Sequence, residues 1–157
     1  EQVDTWLDIE MTIDAQGLFD NRVKDMKDAQ SIGHEGDGSN GSPIVFLLEG
    51  LQTTSFANLR ASLSFDPDED NGRLDSRLLF ERHGGTTPSD DFSIEAAGLP
   101  MESGADETYA NSPNIQFFIG DTIDTNGVGD AGKVRFQIKT DVAGTITMNE
   151  LALFIQL

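Results

Sequence analysis

The chain has 157 residues and no cysteine, and its 28 acidic and 10 basic side chains give a formal net charge of −18. This length fits a single domain, residues 1–157, that is large enough to bury a core. Without cysteine there is no disulfide and no thiolate metal site. So acidic a surface repels phosphate, which excludes nucleic acid as a partner, and no apolar run reaches the ~18 residues that span a bilayer.

The charge also bears on the environment of the protein. Self-repulsion destabilises a compact acidic chain in dilute buffer, whereas in ~1 M salt the Debye length falls to about 3 Å. The composition therefore indicates either a salt-adapted (halophilic) protein or an acidic secreted domain. Because the sequence begins with Glu1 and not with Met, we expect that a leader is removed on export and that the protein is extracellular, at a cell or virion surface. The triplet Asn40-Gly41-Ser42 is an acceptor for glycosylation, although Pro43 disfavours its use.

The first predicted element is a strand over residues 6–13. Apolar residues alternate with Asp8, Glu10 and Thr12 there, as in a strand with one apolar face. A terminal strand pairs either within its own domain or with an open sheet edge of a neighbour, as a donor strand. The predicted subunit interface within residues 1–14 consists of the apolar face of this strand together with the tryptophan that begins it, and its members are Trp6, Leu7, Ile9, Met11 and Ile13.

A short helix is predicted next. Phe19, Val23 and Met26 recur at spacings of four and three, so they share one helical face, and Asp20 is a suitable N-cap. Residues 31–43 and 98–114 are predicted to be polar loops.

The remaining predicted elements are strands. Period-two alternation is strong over 59–65, 134–138 and 150–157, and two apolar runs and two weaker strands cover 44–48, 115–119, 77–80 and 92–96. Residues 142–145 carry a turn signal that predicts a hairpin between the last two long strands. Eight or nine short strands predict an all-β fold, a single antiparallel β-sandwich or jelly roll.

An acidic turn, DPDEDNGRLD, spans residues 66–75. It does not fit an EF-hand, because Gly72 falls one place late and Arg77 holds the twelfth position. Alternate carboxylates in a turn still suit the oxygen coordination of Ca²⁺. The sequence predicts either a structural calcium site or a solvated turn, with four candidate ligands, Asp66, Asp68, Asp70 and Asp75.

A second acidic turn, DTIDTNGVGD, spans residues 121–130. Its oxygen donors surround two glycines, which gives the same two alternatives, a structural calcium loop or a plain hairpin loop. The candidate ligands are Asp121, Asp124, Asn126 and Asp130.

Catalytic motifs are missing. His34 and His83 are the only histidines and do not form a zinc-binding pattern, and no phosphate-binding glycine loop or serine nucleophile elbow occurs. We therefore predict a protein without enzymatic activity.

Two surface features point to partners. Lys133, Arg135 and Lys139 form a basic stripe on one strand, for which Asp8, Glu10 and Asp14 are the candidate mates on a neighbouring copy. Local charge balance on a solvated sheet is the alternative. Tyr109, in a predicted loop, is a candidate contact for glycan because carbohydrate sites use aromatic platforms.

Together these features predict a self-assembling structural subunit, a homopolymer of an extracellular assembly. A surface fibre or pilus-like filament joined by strand exchange is preferred, and a jelly-roll virion shell protein is second. The competing class is a secreted, calcium-braced carbohydrate-binding module. Its grounds are the two acidic turns and an analogy of fold.

Overall fold

The computed structural model describes residues 5–8, 33–35, 45–48, 54–83, 89, 91–101, 107–120 and 132–156. Eleven strands lie in these ranges and every strand pair is antiparallel. None of the described segments is a helix with the length and hydropathy that a membrane crossing requires. The strands are β1 Leu7–Asp8, β2 Gly33–Glu35, β3 Val45–Leu47, β4 Phe56–Pro67, β5 Arg73–Glu81, β6 Phe92–Glu95, β7 Leu99–Pro100, β8 Tyr109–Asn111, β9 Asn114–Phe118, β10 Lys133–Thr140 and β11 Gly144–Gln156.

The first sheet has seven strands in the order β2-β3-β10-β5-β6, with β1 on β10 and β7 on β5. Strand β10 pairs with β5 along all of its residues, from Lys133 to Thr140. Strands β3 and β1 therefore share the opposite edge of β10, end to end, where Val45 faces Arg135 and Asp8 faces Gln137. The N-terminal strand thus borders the central strand of this sheet.

The second sheet has four strands built around β4. One edge of β4 pairs with β8 and β9. The other edge pairs with β11 from Gly144 opposite Pro67 to Gln156 opposite Phe56, and the register shifts between Met148 and Glu150. That shift is a β-bulge, which increases the local twist of the strand.

The core lies between the two sheets and contains the inward residues of both. Burial alternates along β4 and β5, as the period-two patterns predict for a two-layer β protein. Phe80 joins the layers, because its ring stacks on Phe92 of the first sheet with centroids 4.6 Å apart and meets Phe117 of the second sheet edge-on at 4.8 Å. Full burial of one such ring stabilises the fold by about 1.5–3 kcal/mol.

The all-β prediction is confirmed in its coarse form, two sheets of antiparallel strands consistent with a sandwich. The number of strands is higher than eight or nine, because β2, β7 and β8 lie in segments that were predicted to be polar loops. Two or three residues are too few to show a period, and tertiary pairing sets these strands, as where Leu99 faces Leu74 and Tyr109 faces Phe65. The helix predicted from Phe19, Val23 and Met26 lies outside the described residues.

The hairpin predicted at residues 142–145 is wrong. Strand β10 belongs to the first sheet and β11 to the second, so residues 141–143 carry the chain from one sheet to the other. Val142 within this connection is buried. The next residue, Gly144, has no room for a side chain, because a Cβ there would lie 2.5 Å from the carbonyl oxygen of Asp66. The turn residues correctly predicted that the chain changes direction here. They do not indicate which sheet the next strand joins.

Candidate functional site at the N-terminal strand

A charged surface covers the outward side of β5 and β10. Alternation places every second residue of these strands away from the core, and the cross-strand register brings opposite charges together, as where Lys139 faces Asp75 and Lys133 faces Glu81. We call this surface the charged outer face and define it by Asp75, Arg77, Glu81, Arg135, Gln137 and Lys139.

Asp8 of β1 is bound to the charged outer face by both of its carboxylate oxygens. Arg135 Nη1 donates a hydrogen bond to Asp8 Oδ2 at 3.0 Å, and Gln137 Nε2 donates to Oδ1 at 2.8 Å. Arg135 Nε also donates to Glu81 Oε2 at 3.2 Å. One arginine thereby joins the N-terminal strand to β5 through two carboxylates.

The charge of Arg135 is permanent. Desolvation is the largest single effect on this guanidinium and lowers its pKa, but Glu81 and Asp8 together outweigh it, and the pKa of Arg135 is raised. An arginine is protonated at every pH at which proteins fold, so the attraction to Asp8 depends on the carboxylate alone.

Trp6 lies between two cations of the charged outer face. The centroid of its indole ring is 4.2 Å from Arg77 Cζ and 5.2 Å from Lys139 Nζ. Arg77 is held in place because its Nε donates to Gln137 Oε1 at 2.8 Å, and burial lowers its pKa. A cation–π contact of this kind is worth about 0.5–1 kcal/mol when exposed and more when desolvated. Trp6 is therefore an anchor of the terminal strand.

Leu7 lies on the opposite side of β1 and faces the buried Ile138. It remains 37% exposed, so the core is only partly closed at this position. The alternation predicted for Leu7 and Asp8 is confirmed. The other predicted interface residues, Ile9, Met11 and Ile13, lie outside the described residues.

The edge of β10 has little room for β1. Asp8 faces Gln137, and Val45 of β3 already faces Arg135 on the same edge, so only the position opposite Phe136 is left between them. Side-chain contacts of Trp6 and Asp8, more than main-chain hydrogen bonds, therefore hold the terminal strand. We call this place the β1 seat and define it by Arg77, Arg135, Gln137, Ile138 and Lys139.

The basic stripe finds its acidic partners within the same chain. Asp8 pairs with Arg135 as the charge pattern predicted, although in one copy of the chain. Glu10 and Asp14 lie outside the described residues. The sequence did not indicate Glu81 as a partner of the basic stripe, and it indicated Asp75 only as a candidate calcium ligand. Both residues flank the weak strand predicted at 77–80 and have the outward phase of β5.

Asp75 belongs to the charged outer face, where it pairs with basic side chains and does not act together with the other aspartates of the acidic turn. Arg73 Nε donates to Asp75 Oδ1 at 2.6 Å, and Lys139 Nζ lies 3.8 Å from Oδ2. The hydrogen bond and charge of Asp75 raise the pKa of Arg73. Asp66, Asp68 and Asp70 are exposed. In the part of the chain described, no three acidic or histidine side chains are grouped as metal ligands, and residues 121–130 lie outside it.

The acidic turn serves as a corner between the sheets. It carries the chain from β4 to β5, and its backbone binds the second corner at 141–143, since Asp68 N donates to the Ala143 carbonyl at 2.9 Å. Arg73 N donates to Asp141 Oδ1 at 2.6 Å. Asn71 adopts a left-handed φ of 60°, which asparagine tolerates in turns.

Tyr109 is half-buried and packs against the core. It sits on the inner side of β8, opposite Phe65. Its ring is thus placed for packing against the core, and its role as a glycan contact stays a prediction.

Comparison of the chain with protein-family models, with curated proteins and with solved structures found no match. The class of the protein is accordingly defined by its own residues. It is an antiparallel β protein of two packed sheets whose N-terminal strand is held by a tryptophan and an aspartate on a charged sheet face.

Proposed function

We propose that the protein is a self-assembling structural subunit of an extracellular assembly without enzymatic activity. In the assembly, the N-terminal strand of one copy occupies the β1 seat of the next copy. A fibre or pilus-like filament is the preferred form, and a jelly-roll virion shell is the second. The observation that carries the proposal is the anchoring of Trp6 and Asp8 by side chains of β5 and β10, two strands that pair with each other.

Exchange of this strand needs no new contact. The bonds that Asp8 and Trp6 make within one chain are the same bonds that they would make on a neighbour, as in domain swapping. Within the described residues 5–8, β1 pairs with β10 through Leu7 and Asp8, so few main-chain hydrogen bonds of this segment must break. The balance between closed and exchanged forms then depends mainly on protein concentration and on the tether between β1 and β2.

The charge of the protein favours assembly in salt. Two copies of net charge −18 repel each other over a Debye length of about 10 Å in dilute buffer, which falls to about 3 Å at 1 M. The contacts of the β1 seat are short and partly buried, so salt screens them less than it screens the long-range repulsion. We expect assembly to strengthen as salt rises.

Deletion of residues 1–14 tests the proposal. Negative-stain microscopy and light scattering in ~2 M salt should show regular filaments, or closed shells in the second form, for the full chain and monomers for the deleted chain. A synthetic peptide of residues 1–14 should bind the deleted chain, and its Asp8→Asn version should bind more weakly. A uniform monomer for the full chain under all conditions would refute the proposal.

Three finer predictions belong to this proposal. They are the jelly-roll connection of the strands, the helix at residues 19–26, and structural Ca²⁺ in the acidic turns. The same images recorded with Ca²⁺ and then with chelator test whether calcium stabilises the assembly. A monomer that binds glycan in a screen would support the carbohydrate-binding module instead.

A further inference from the structure

Strand β11 forms an open edge of the second sheet. Among the described residues it pairs with β4 and with no other strand, although it is 13 residues long. One row of its backbone N–H and C=O groups therefore faces away from the sheet. Such an edge is a template for pairing with another chain.

The sequence of β11 lacks the residues that usually protect a sheet edge. Natural edge strands carry lysine, proline or inward charges, whereas Glu150 is the single charged residue of β11 and the strand has no proline. Residues 151–156, LALFIQ, are uncharged in a chain of net charge −18. The bulge between Met148 and Glu150 precedes this stretch and does not interrupt it.

The inward residues of β11 are also incompletely covered. Ile146, Met148, Leu151 and Leu153 pack against the core but stay half-exposed. Their neighbours on β4 are fully buried, for example Leu59 and Phe65 at 0%. On the outward side Phe154 is 53% exposed. One more strand along β11 would cover apolar surface on both sides of the sheet.

We propose that β11 pairs with β11 of a second copy, antiparallel about a two-fold axis, so that the second sheet runs on through both copies. An antiparallel strand is complementary to itself, which is the requirement for an interface with two-fold symmetry. The uncharged stretch is also where two acidic chains approach with the least repulsion. A foreign partner strand would need to be matched to this edge, whereas a second copy is matched by symmetry.

One register satisfies the side chains. With the axis at Leu153, Phe154 faces Ala152 of the second copy, a large residue beside a small one. Glu150 then faces Gln156 of the second copy, so no two like charges lie opposite each other. Facing residues in an antiparallel pair are close enough to pack, at about 4.5–5.5 Å between Cβ atoms.

The β11 interface is independent of the β1 seat, which lies on the other sheet. It goes beyond the proposed function, because it would join two subunits, or two filaments, side by side. If strand exchange fails, the β11 interface can still form. If the β11 interface fails, strand exchange at the β1 seat can still occur.

A thiol crosslink in the full chain tests the proposal. The chain has no cysteine, so Ala152→Cys carries a unique thiol. Diagonal positions across the two-fold axis are about 7–8 Å apart, within reach of a short bismaleimide. We expect a crosslinked dimer for Ala152→Cys and at least tenfold less for Ser93→Cys, an exposed position on β6 of the other sheet. Equal yields at the two positions would overturn the proposal.

A matched pair of charge variants separates edge pairing from stacking of sheet faces. Phe118, 57% exposed on β9, lies on the same outward side as Phe154 but at the opposite edge of the sheet. In the Ala152→Cys chain, Phe154→Glu should reduce crosslinking at least tenfold and Phe118→Glu should leave it unchanged. An equal loss in both variants would mean that the exposed aromatic faces stack, and the edge proposal would be wrong. Circular dichroism of each variant checks that the fold is kept, and Asp8→Asn should not reduce the crosslink.

Discussion

Arg135 Nη1 lies 3.0 Å from Asp8 Oδ2, across 127 positions of the sequence. The same guanidinium binds Glu81, so the terminal strand shares its anchor with the centre of the first sheet. Because both partners of this ion pair are only partly exposed, we expect its contribution at the upper end of the range for surface pairs, about 0–1 kcal/mol.

A double-mutant cycle on Asp8→Asn and Arg135→Gln should give a coupling free energy of about 1 kcal/mol. Arg135→Gln also takes a partner from Glu81. That effect on stability is the same with and without the Asp8→Asn change, so it cancels from the coupling free energy. Urea denaturation measures the free energy of unfolding of each variant. Additive single effects would show that the bond contributes nothing to docking of the strand.

Trp6 is the single tryptophan of the chain, so its fluorescence reports on the β1 seat. Arg77→Gln should shift the emission to the red and raise quenching by acrylamide, because it removes the nearer cation, 4.2 Å from the ring. Lys139→Gln, at 5.2 Å, should do so less. Arg60→Gln on the second sheet is the control and should change neither signal. A larger effect of Lys139→Gln than of Arg77→Gln would contradict the geometry.

Gly72→Ala should lower the free energy of unfolding by about 1–3 kcal/mol, as overpacking does. The added Cβ would lie 2.4 Å from Val142 Cγ2, a branched and buried side chain. In a Val142→Ala background the loss should shrink, since the clashing methyls are gone. Gly98→Ala is the matched control, because it meets the movable ends of Asp75 and Arg73 and should cost less. Thermal unfolding followed by circular dichroism compares the five chains, namely the unaltered protein, the three single variants and the double variant.

Ser76→Ala should stabilise the protein by about 1 kcal/mol. The hydroxyl of Ser76 is fully buried on the inner side of β5 and has no hydrogen-bond partner among the described residues. A buried polar group without a partner costs about 1–3 kcal/mol, and alanine removes it while leaving only a small void. Ser64→Ala, half-buried on the outward side of β4, should be near neutral. A loss of stability in Ser76→Ala would reveal a bond that the hydroxyl makes.

If structural Ca²⁺ occupies the acidic turns, Ca²⁺ should raise the Tm of the protein. Each of two double variants, Asp68→Asn with Asp70→Asn and Asp124→Asn with Asp130→Asn, should reduce that rise, because each removes two of the four candidate oxygen ligands of its turn. Calorimetry with Ca²⁺ and with chelator measures both variants. An unchanged rise of Tm in one variant would rule out its turn as a calcium site.

The sequence patterns predicted which residues are buried better than they predicted which strands are joined within one sheet. The alternation in β4 and β10 identified their core residues because the side-chain period of a strand is independent of its partner. The turn at Gly144 was recognised but assigned to a hairpin, since nothing local tells whether the next strand stays in the same sheet. Strands as short as β7 carry no period at all.

The candidate site was predictable in part. Opposite charge placed Asp8 among the candidate mates of the basic stripe on a neighbouring copy, whereas the structure pairs it with Arg135 within one chain. Glu81 and Asp75 required the register between β5 and β10, which is a property of the folded sheet. The cations beside Trp6 also come from two strands that are distant in sequence, so a lone tryptophan before a strand gave no hint of them.

The path of the chain through the two corners has a kinetic consequence. Each corner sends the chain to the other layer, so β4 and β10 find their partners only in remote segments, Phe56 with Gln156 and Ile138 with Leu7. Closing such large loops lowers the conformational entropy of the chain before the strand contacts that stabilise it have formed. Proteins rich in such non-local pairing fold in about milliseconds to seconds. Until β11 pairs with β4, the uncharged LALFIQ stretch has both of its edges open, so an incompletely folded molecule exposes to its neighbours a strand that the finished second sheet covers on one side.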